Sequence, residues 1–233
     1  TSFPNWVQYL AASRGLVMKE CNPSKVETGS RSLAFNKAGV AGLDSQIAAL
    51  GGLSALGAAD LVTVYLGTHD IVEQFEAIGA IGFDQAKANI EARGDQLATQ
   101  VNAIVATGAR VLLLTVPDVS LRPYGLKAEA AIPGSGEQLR QLSDRFNTRL
   151  GFNIVQDGHL IALLKANDQL RTLRANVGFN GLVNVSDPVC DRAKYSGDLI
   201  NCFSTDDTAT TDIVTDGSTN TWLFADDLNY SPS

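Results

Sequence analysis

The sequence predicts an α/β protein in which a mainly parallel sheet lies between two layers of helices. Residues 60–66 (DLVTVYL) and 110–116 (RVLLLTV) are short, nearly continuous apolar runs, as strands covered on both faces are. Between and after them run segments with helical periodicity, notably residues 83–107, where Ile90, Leu97, Val101, Ile104 and Val105 share one face. Each strand run ends in a turn former, Gly67 after the first and Pro117 closing the second. Apolar strands alternating with amphipathic helices are the pattern of βαβ units and a parallel sheet.

Taken in order, residues 4–13 read as a helix with Trp6, Val7 and Leu10 at helical spacing. Residues 32–36 read as a short strand that runs into the glycine-containing loop 38–43. Asp44 or Ser45 is suited to cap a helix over residues 45–56. The strand at 60–66, the helix at 83–107 and the strand at 110–116 follow. Leu139, Leu142, Phe146 and Leu150 place another helix over 134–152, residues 159–164 read as a strand, and the tail from 183 reads mostly as loop. The outline is a three-layer α/β/α sandwich with a flavodoxin-like sheet, one domain spanning residues 1–233.

Composition narrows the function classes. Hydrophobic residues make up 45% and charged residues 18% of the 233, enough to bury a substantial core. A net charge of −7 and a pI near 4.8 argue against a nucleic-acid partner, which needs clustered Lys and Arg. No apolar run approaches the roughly 20 residues of a membrane span. No Cys/His cluster suits zinc and no spaced Asp-x-Asp-x-Asp-Gly loop suits calcium, so neither metal nor cofactor is expected. Cys190 and Cys202 enclose a polar, loop-like segment that suits a small disulfide, with Cys21 the odd thiol. With the Ser-, Thr-, Asn- and Asp-rich C-terminal third, this favours a secreted, cell-surface or periplasmic protein. Three buried thiols in a cytosolic protein is the alternative.

Three segments, in this order, resemble the SGNH (GDSL-type) hydrolases, closest to bacterial secreted and autotransporter-type esterases. Residues 35–46 (FNKAGVAGLDSQ) resemble the family's second block, with Gly42 matching the glycine whose N–H serves the oxyanion. Residues 67–70 (GTHD) resemble the third block, Gly-x-Asn-Asp, so Gly67 opens the turn and His69 stands where the oxyanion-hole asparagine is expected. Residues 222–229 (WLFADDLN) resemble the last block, Asp-x-x-His, with Asp226 as its aspartate and Asn229 where the catalytic histidine is expected. Residues 112–123 and the Cys190/Cys202 loop are also similar to those esterases. The likeness spans nearly the whole chain and implies the three-layer fold, a carboxylic ester substrate and no cofactor. The Gly-Asp-Ser block that carries the family's nucleophile does not occur, and Ser2 lies too close to the first helix to replace it. The ending at Ser233 precedes the closing helix usual in such proteins, so the sequence reads as trimmed at both ends.

Ester hydrolysis by this route needs a serine oxygen, a base, a carboxylate that orients the base, and oxyanion donors. Asp226 is placed to orient a group at 229, but an asparagine amide does not titrate near neutral pH and is no base. His69 can donate an N–H to an oxyanion in the right tautomer. As the base it would approach the nucleophile from the oxyanion side, where it cannot pair with Asp226. Asn229 and His69 thus each occupy the other's expected position. The functional expectation is an ester hydrolase cleaving small or acyl-chain esters. The alternative is an inactive relative that binds a small molecule, glycan or protein in the former cleft; a structural passenger region is a third.

Each of these residues also has a purely structural reading. His69 is then a strand-end histidine satisfied by local backbone, and His159 a structural residue after an Asp-Gly turn. Gly39 and Gly42 are turn glycines needing positive φ, and Asp70 is a helix N-cap. Asp226 and Asp227 belong with Asp206, Asp207 and Asp212 to a solvated acidic tail.

Overall fold

The computed structural model describes residues 5–22, 24–193, 213–214, 217–218 and 220–231. Ser2, Pro4, Cys202, Asp206, Asp207 and Asp212, on which some expectations rest, lie outside these residues. The chain divides into two compact units, Ala34–Thr172 and the combination of Thr1–Leu33 with Leu173–Ser233. In chain order the elements are α1 (Trp6–Ser13), α2 (Leu43–Ala49), β1 (Leu61–Val64), α3 (Thr68–Ile81), α4 (Phe83–Val105) and β2 (Arg110–Leu114). Then come α5 (Pro123–Ala131), α6 (Ser135–Asn153), β3 (Ile161–Leu164), α7 (Ala166–Ala175), β4 (Asn184–Pro188) and β5 (Trp222–Phe224).

The first unit is built on a three-stranded parallel sheet in the order β1-β2-β3, flanked by helices. Parallel neighbours require crossovers, supplied by α3 and α4 between β1 and β2 and by α5 and α6 between β2 and β3. The register sets Val64 beside Leu113 and Val111 beside Ile161. All four are buried, because positions two apart point to the same face. Helices α3, α4 and α6 pack on one another, and Leu97, Val101, Ile104, Leu139, Leu142, Phe146 and Leu150 are buried.

Gly94 sets how closely α4 and α6 approach. A Cβ built there would lie 2.7 Å from the Phe146 carbonyl oxygen and 2.9 Å from Arg149 Cβ. Around that contact Arg149 donates twice to Asp95 at 2.8 and 2.6 Å, and Arg145 pairs with Glu91. These pairs are solvent-exposed and add little beyond the packing.

The second unit begins with α1, whose capping box is complete. Gln8 N–H donates to Asn5 Oδ1 at 3.0 Å, and Asn5 N–H donates to Gln8 Oε1 at 2.7 Å. Strands β4 and β5 pair in parallel, and Val189, Cys190 and Ala225 form a buried cluster with Ile213 and Trp222 against it. Cys190 is a disulfide-bonded residue that bridges Ile213 through its backbone. The expected partner, Cys202, lies outside the described residues.

The structure corrects four local expectations. Residues 32–36 form no strand; Ser30 alone in that region makes a bridge, with Met18. The helix expected over 45–56 is α2, which starts at Leu43 behind Gly42 and ends at Ala49, where Gly51 and Gly52 stop it. Asp44 therefore sits in its first turn and neither Asp44 nor Ser45 is its cap. The tail from 183 contains β4 and β5, because their pairing joins segments more than thirty residues apart that no local pattern links. Finally, residues 68–81 form the uninterrupted helix α3, so the polar Gly-Thr-His-Asp stretch is a helix start.

Candidate functional site

At the carboxyl end of β1 the chain must pass from strand to helix within three residues, and Gly67 does this at φ +115°, a backbone conformation that L side chains rarely adopt. Space demands glycine there as well. A Cβ at 67 would stand 2.5 Å from the Phe146 ring and 2.8 Å from Val116 Cγ2. Thr68, His69 and Asp70 then form the first turn of α3. His69, in that turn, is half-buried and has an interaction partner.

Asp70 is the residue that joins the two candidate blocks of this unit. It is 3% exposed, and its carboxylate accepts the Val40 N–H at 3.0 and 3.3 Å while Arg93 Nε stands 3.6 Å away. Burial pushes its carboxyl above the ordinary aspartate range, against the opposing pull of the Val40 N–H and the Arg93 charge. Asp70 thus does not cap its own helix; it holds a loop thirty positions earlier in the chain.

That loop is a 3₁₀ turn over Val40–Gly42. Neither of its glycines has a positive φ: Gly39 lies at −97° and Gly42 at −78°. Contact explains them instead. A Cβ at Gly39 would approach the Asp70 carboxylate to 3.1 Å, and one at Gly42 would approach the Phe35 ring to 3.0 Å. The Gly42 N–H donates to the Gly39 carbonyl at 3.0 Å, so an oxyanion bound at this position has to share that donor.

The other unit carries Asp226 and Asn229. Asp226 Oδ1 accepts the backbone N–H groups of Leu228 at 2.8 Å and Asn229 at 2.6 Å. The Asn229 side chain donates to both carboxylate oxygens, at 3.1 and 3.0 Å. Ala225 N–H donates to the Asn229 carbonyl at 2.9 Å and closes the turn. Position 229 is therefore oriented by a carboxylate, and its amide is held as a hydrogen-bond donor. Asp227 is paired with Arg192. Gly42, Gly67 and His69 belong to one unit, Asp226 and Asn229 to the other.

Two polar clusters at the carboxyl ends of β1 and β2 escaped the sequence reading. Asp118, 1% exposed, accepts from Ser120 N–H at 3.0 Å, from Ser120 Oγ at 2.6 Å and from Arg171 at 3.1 Å. Asn147 clamps Val116 by accepting its N–H at 2.9 Å and donating to its carbonyl at 2.8 Å. Buried Arg122 donates to Tyr65 Oη at 2.7 Å. The Pro-Asp-x-Ser stretch at 117–120 was a local signal for the Asp118 turn. Nothing local pointed to Asn147 or Arg171, which act across the fold.

His159 lies exposed in a turn where its N–H donates to Asp157 at 2.8 Å. Among the described residues no group of three or more His, Cys, Asp or Glu side chains is arranged to hold a metal ion. No described helix is long and apolar enough to cross a membrane. Neither protein-family models nor curated proteins yield a match to this chain.

Proposed function

We propose that the chain is an SGNH-type ester hydrolase with a three-layer α/β/α fold, cleaving small or acyl-chain esters and exported to a secreted, periplasmic or surface location. In this reading Gly42 and His69 supply oxyanion donors, with Gly67 setting the turn that presents His69. Asp226 is the carboxylate that orients the residue at 229, and Cys190 pairs with Cys202. The observation that carries the reading is the Asp70–Val40 hydrogen bond, which ties the Gly39–Gly42 turn to the start of α3. Oxyanion stabilisation needs donors preorganised on rigid elements, and this bond supplies the rigidity. The reading requires a serine nucleophile from outside these 233 residues.

One observation favours a second reading, binding without turnover. Asn229 occupies the base position with its amide donated to Asp226, and the chain's only histidines are His69 and His159. The test is hydrolysis of p-nitrophenyl acetate by the natural, full-length protein, together with labelling by a fluorophosphonate. Turnover and one labelled serine are expected, and Asn229→His should raise the rate by roughly 10²–10⁴-fold, the range of a general base. No turnover and no labelled serine in either protein would overturn the hydrolase reading in favour of binding.

A further inference from the structure

We propose, resting on the hydrolase reading in which Gly42 supplies an oxyanion donor, that Phe35 receives the acyl chain of the substrate. The substrate class is then esters of medium-length or longer apolar acids, and esters of acetate-sized acids are poor substrates.

The Phe35 ring lies against the glycine that the hydrolase reading uses. A Cβ built at Gly42 would stand 3.0 Å from Phe35 Cζ and 3.7 Å from Cε1. Yet Phe35 is 54% exposed, and Gly42 is only half-buried. Single exposed apolar residues are ordinary on protein surfaces and need no explanation. This one is held in place by a strained turn. The chain reverses at Asn36 and Lys37, where the Ala38 N–H donates to the Phe35 carbonyl at 3.4 Å and Lys37 sits at φ +60°. A lysine in this left-handed region is uncommon, and such strain persists where the surroundings fix the chain, as they do at ligand sites. The fixed point follows at once, because buried Asp70 accepts the Val40 N–H at 3.0 Å. An aromatic face is thus presented to solvent beside Gly42, within the single unit Ala34–Thr172.

The position of the ring selects the substrate. A carbonyl oxygen accepting from an N–H lies about 2.9 Å from the nitrogen, so the first carbons of an acyl chain bound at Gly42 come within reach of the ring. An acetyl group ends at its first carbon and leaves most of the ring in water. A hexanoyl chain lays further methylenes across it, each favoured by up to about fourfold when fully buried. The acyl arm also stays bonded to a serine hydrolase through both half-reactions, whereas the alcohol leaves after the first. A surface beside the oxyanion donor therefore acts on both steps only if it holds the acyl arm.

The experiment measures kcat/KM of the natural, full-length protein and its variants for p-nitrophenyl acetate and hexanoate. The parent should prefer hexanoate by about tenfold or more. Phe35→Leu and Phe35→Gln place side chains of similar size, one apolar and one polar, beside Gly42. The leucine variant should keep the preference within about threefold of the parent, and the glutamine variant should bring the two esters within about threefold of each other. Methyl and hexyl acetate, which vary the alcohol alone, should respond equally to Phe35→Gln. A smaller preference in the parent, a preference retained by the glutamine variant, or equal ratios in the two variants would overturn the proposal. So would a change confined to the alcohol series, which would set the ring against the leaving group. Turnover without these ratios overturns this assignment alone, whereas no turnover of any ester by the parent overturns the hydrolase reading and this assignment together.

Discussion

Replacing Asp70 with alanine tests the contact that holds the Gly39–Gly42 turn against α3. The carboxylate is 3% exposed and receives the N–H of Val40, itself fully buried. Truncation removes a hydrogen bond to a charged acceptor, worth about 1.5–3 kcal/mol, and leaves a buried N–H without a partner. Arg93, the nearby cation, keeps a third of its side chain in solvent and is rehydrated, so it adds little. The expected loss is about 2–3 kcal/mol, or roughly 4–12 °C in melting temperature for a chain of this size. Asp70→Asn keeps an oxygen that accepts from Val40 and should cost within about 1 kcal/mol. The two variants therefore separate the acceptor from the charge, and urea unfolding followed by near-ultraviolet circular dichroism measures both. An alanine variant within about 0.5 kcal/mol of the parent, or an asparagine variant as damaged as the alanine one, would refute this account.

The same residue predicts a pH dependence. Because burial raises the folded-state pKa of Asp70 above its ordinary value of 3.8, the folded protein binds this proton more tightly than the unfolded chain. The contribution is fully present below 3.8 and is lost as pH rises through the folded value. The stability of the parent relative to Asp70→Asn should therefore increase on acidification through that window, and a flat or opposite trend in paired urea melts would contradict it. Gly67→Ala should cost more than about 2 kcal/mol, since φ is +115° and the new methyl would meet the Phe146 ring. Adding Phe146→Leu should recover only part of that loss, because the backbone strain stays; full recovery by thermal melting would mean that contact alone mattered. Gly94→Ala should destabilise the chain, although helix propensity favours alanine by about 1 kcal/mol, since its Cβ would press the α6 backbone. A higher melting temperature for that variant would show that α4 and α6 have room to separate.

The readable parts of the fold were those with a strong local period. The run of residues 110–116 became β2, the face of Ile90, Leu97, Val101 and Ile104 became the buried side of α4, and that of Leu139 to Leu150 the buried side of α6. Residues 32–36 have the composition of a strand, but strands require a neighbour, and none of the described segments pairs with them. The start of α3 was read as a turn because Gly67 and a polar stretch follow the strand, whereas the helix begins at Thr68 and buries Ile71 and Val72 in its first turns. In the candidate site, the motif spacing singled out Gly42, His69, Asp226 and Asn229. It left out Asp70's true partner, since Val40 donates through its backbone, and backbone groups leave no mark in a sequence.

By itself the sequence determined the α/β class, the positions of the main strands and helices, and the chemistry of position 229, an asparagine whose amide does not titrate near neutral pH. Those properties depend on side-chain identity and short-range periodicity, which adjacent residues carry. Only the tertiary structure decided that Gly39 and Gly42 answer to Asp70 and Phe35 rather than to positive φ, and that β4 pairs with β5. It alone decided, too, that the carboxamide of Gln100 is buried with no hydrogen-bond partner among the described residues. Each of these depends on which distant atoms arrive within a few ångströms, and close packing sets that for the whole chain at once.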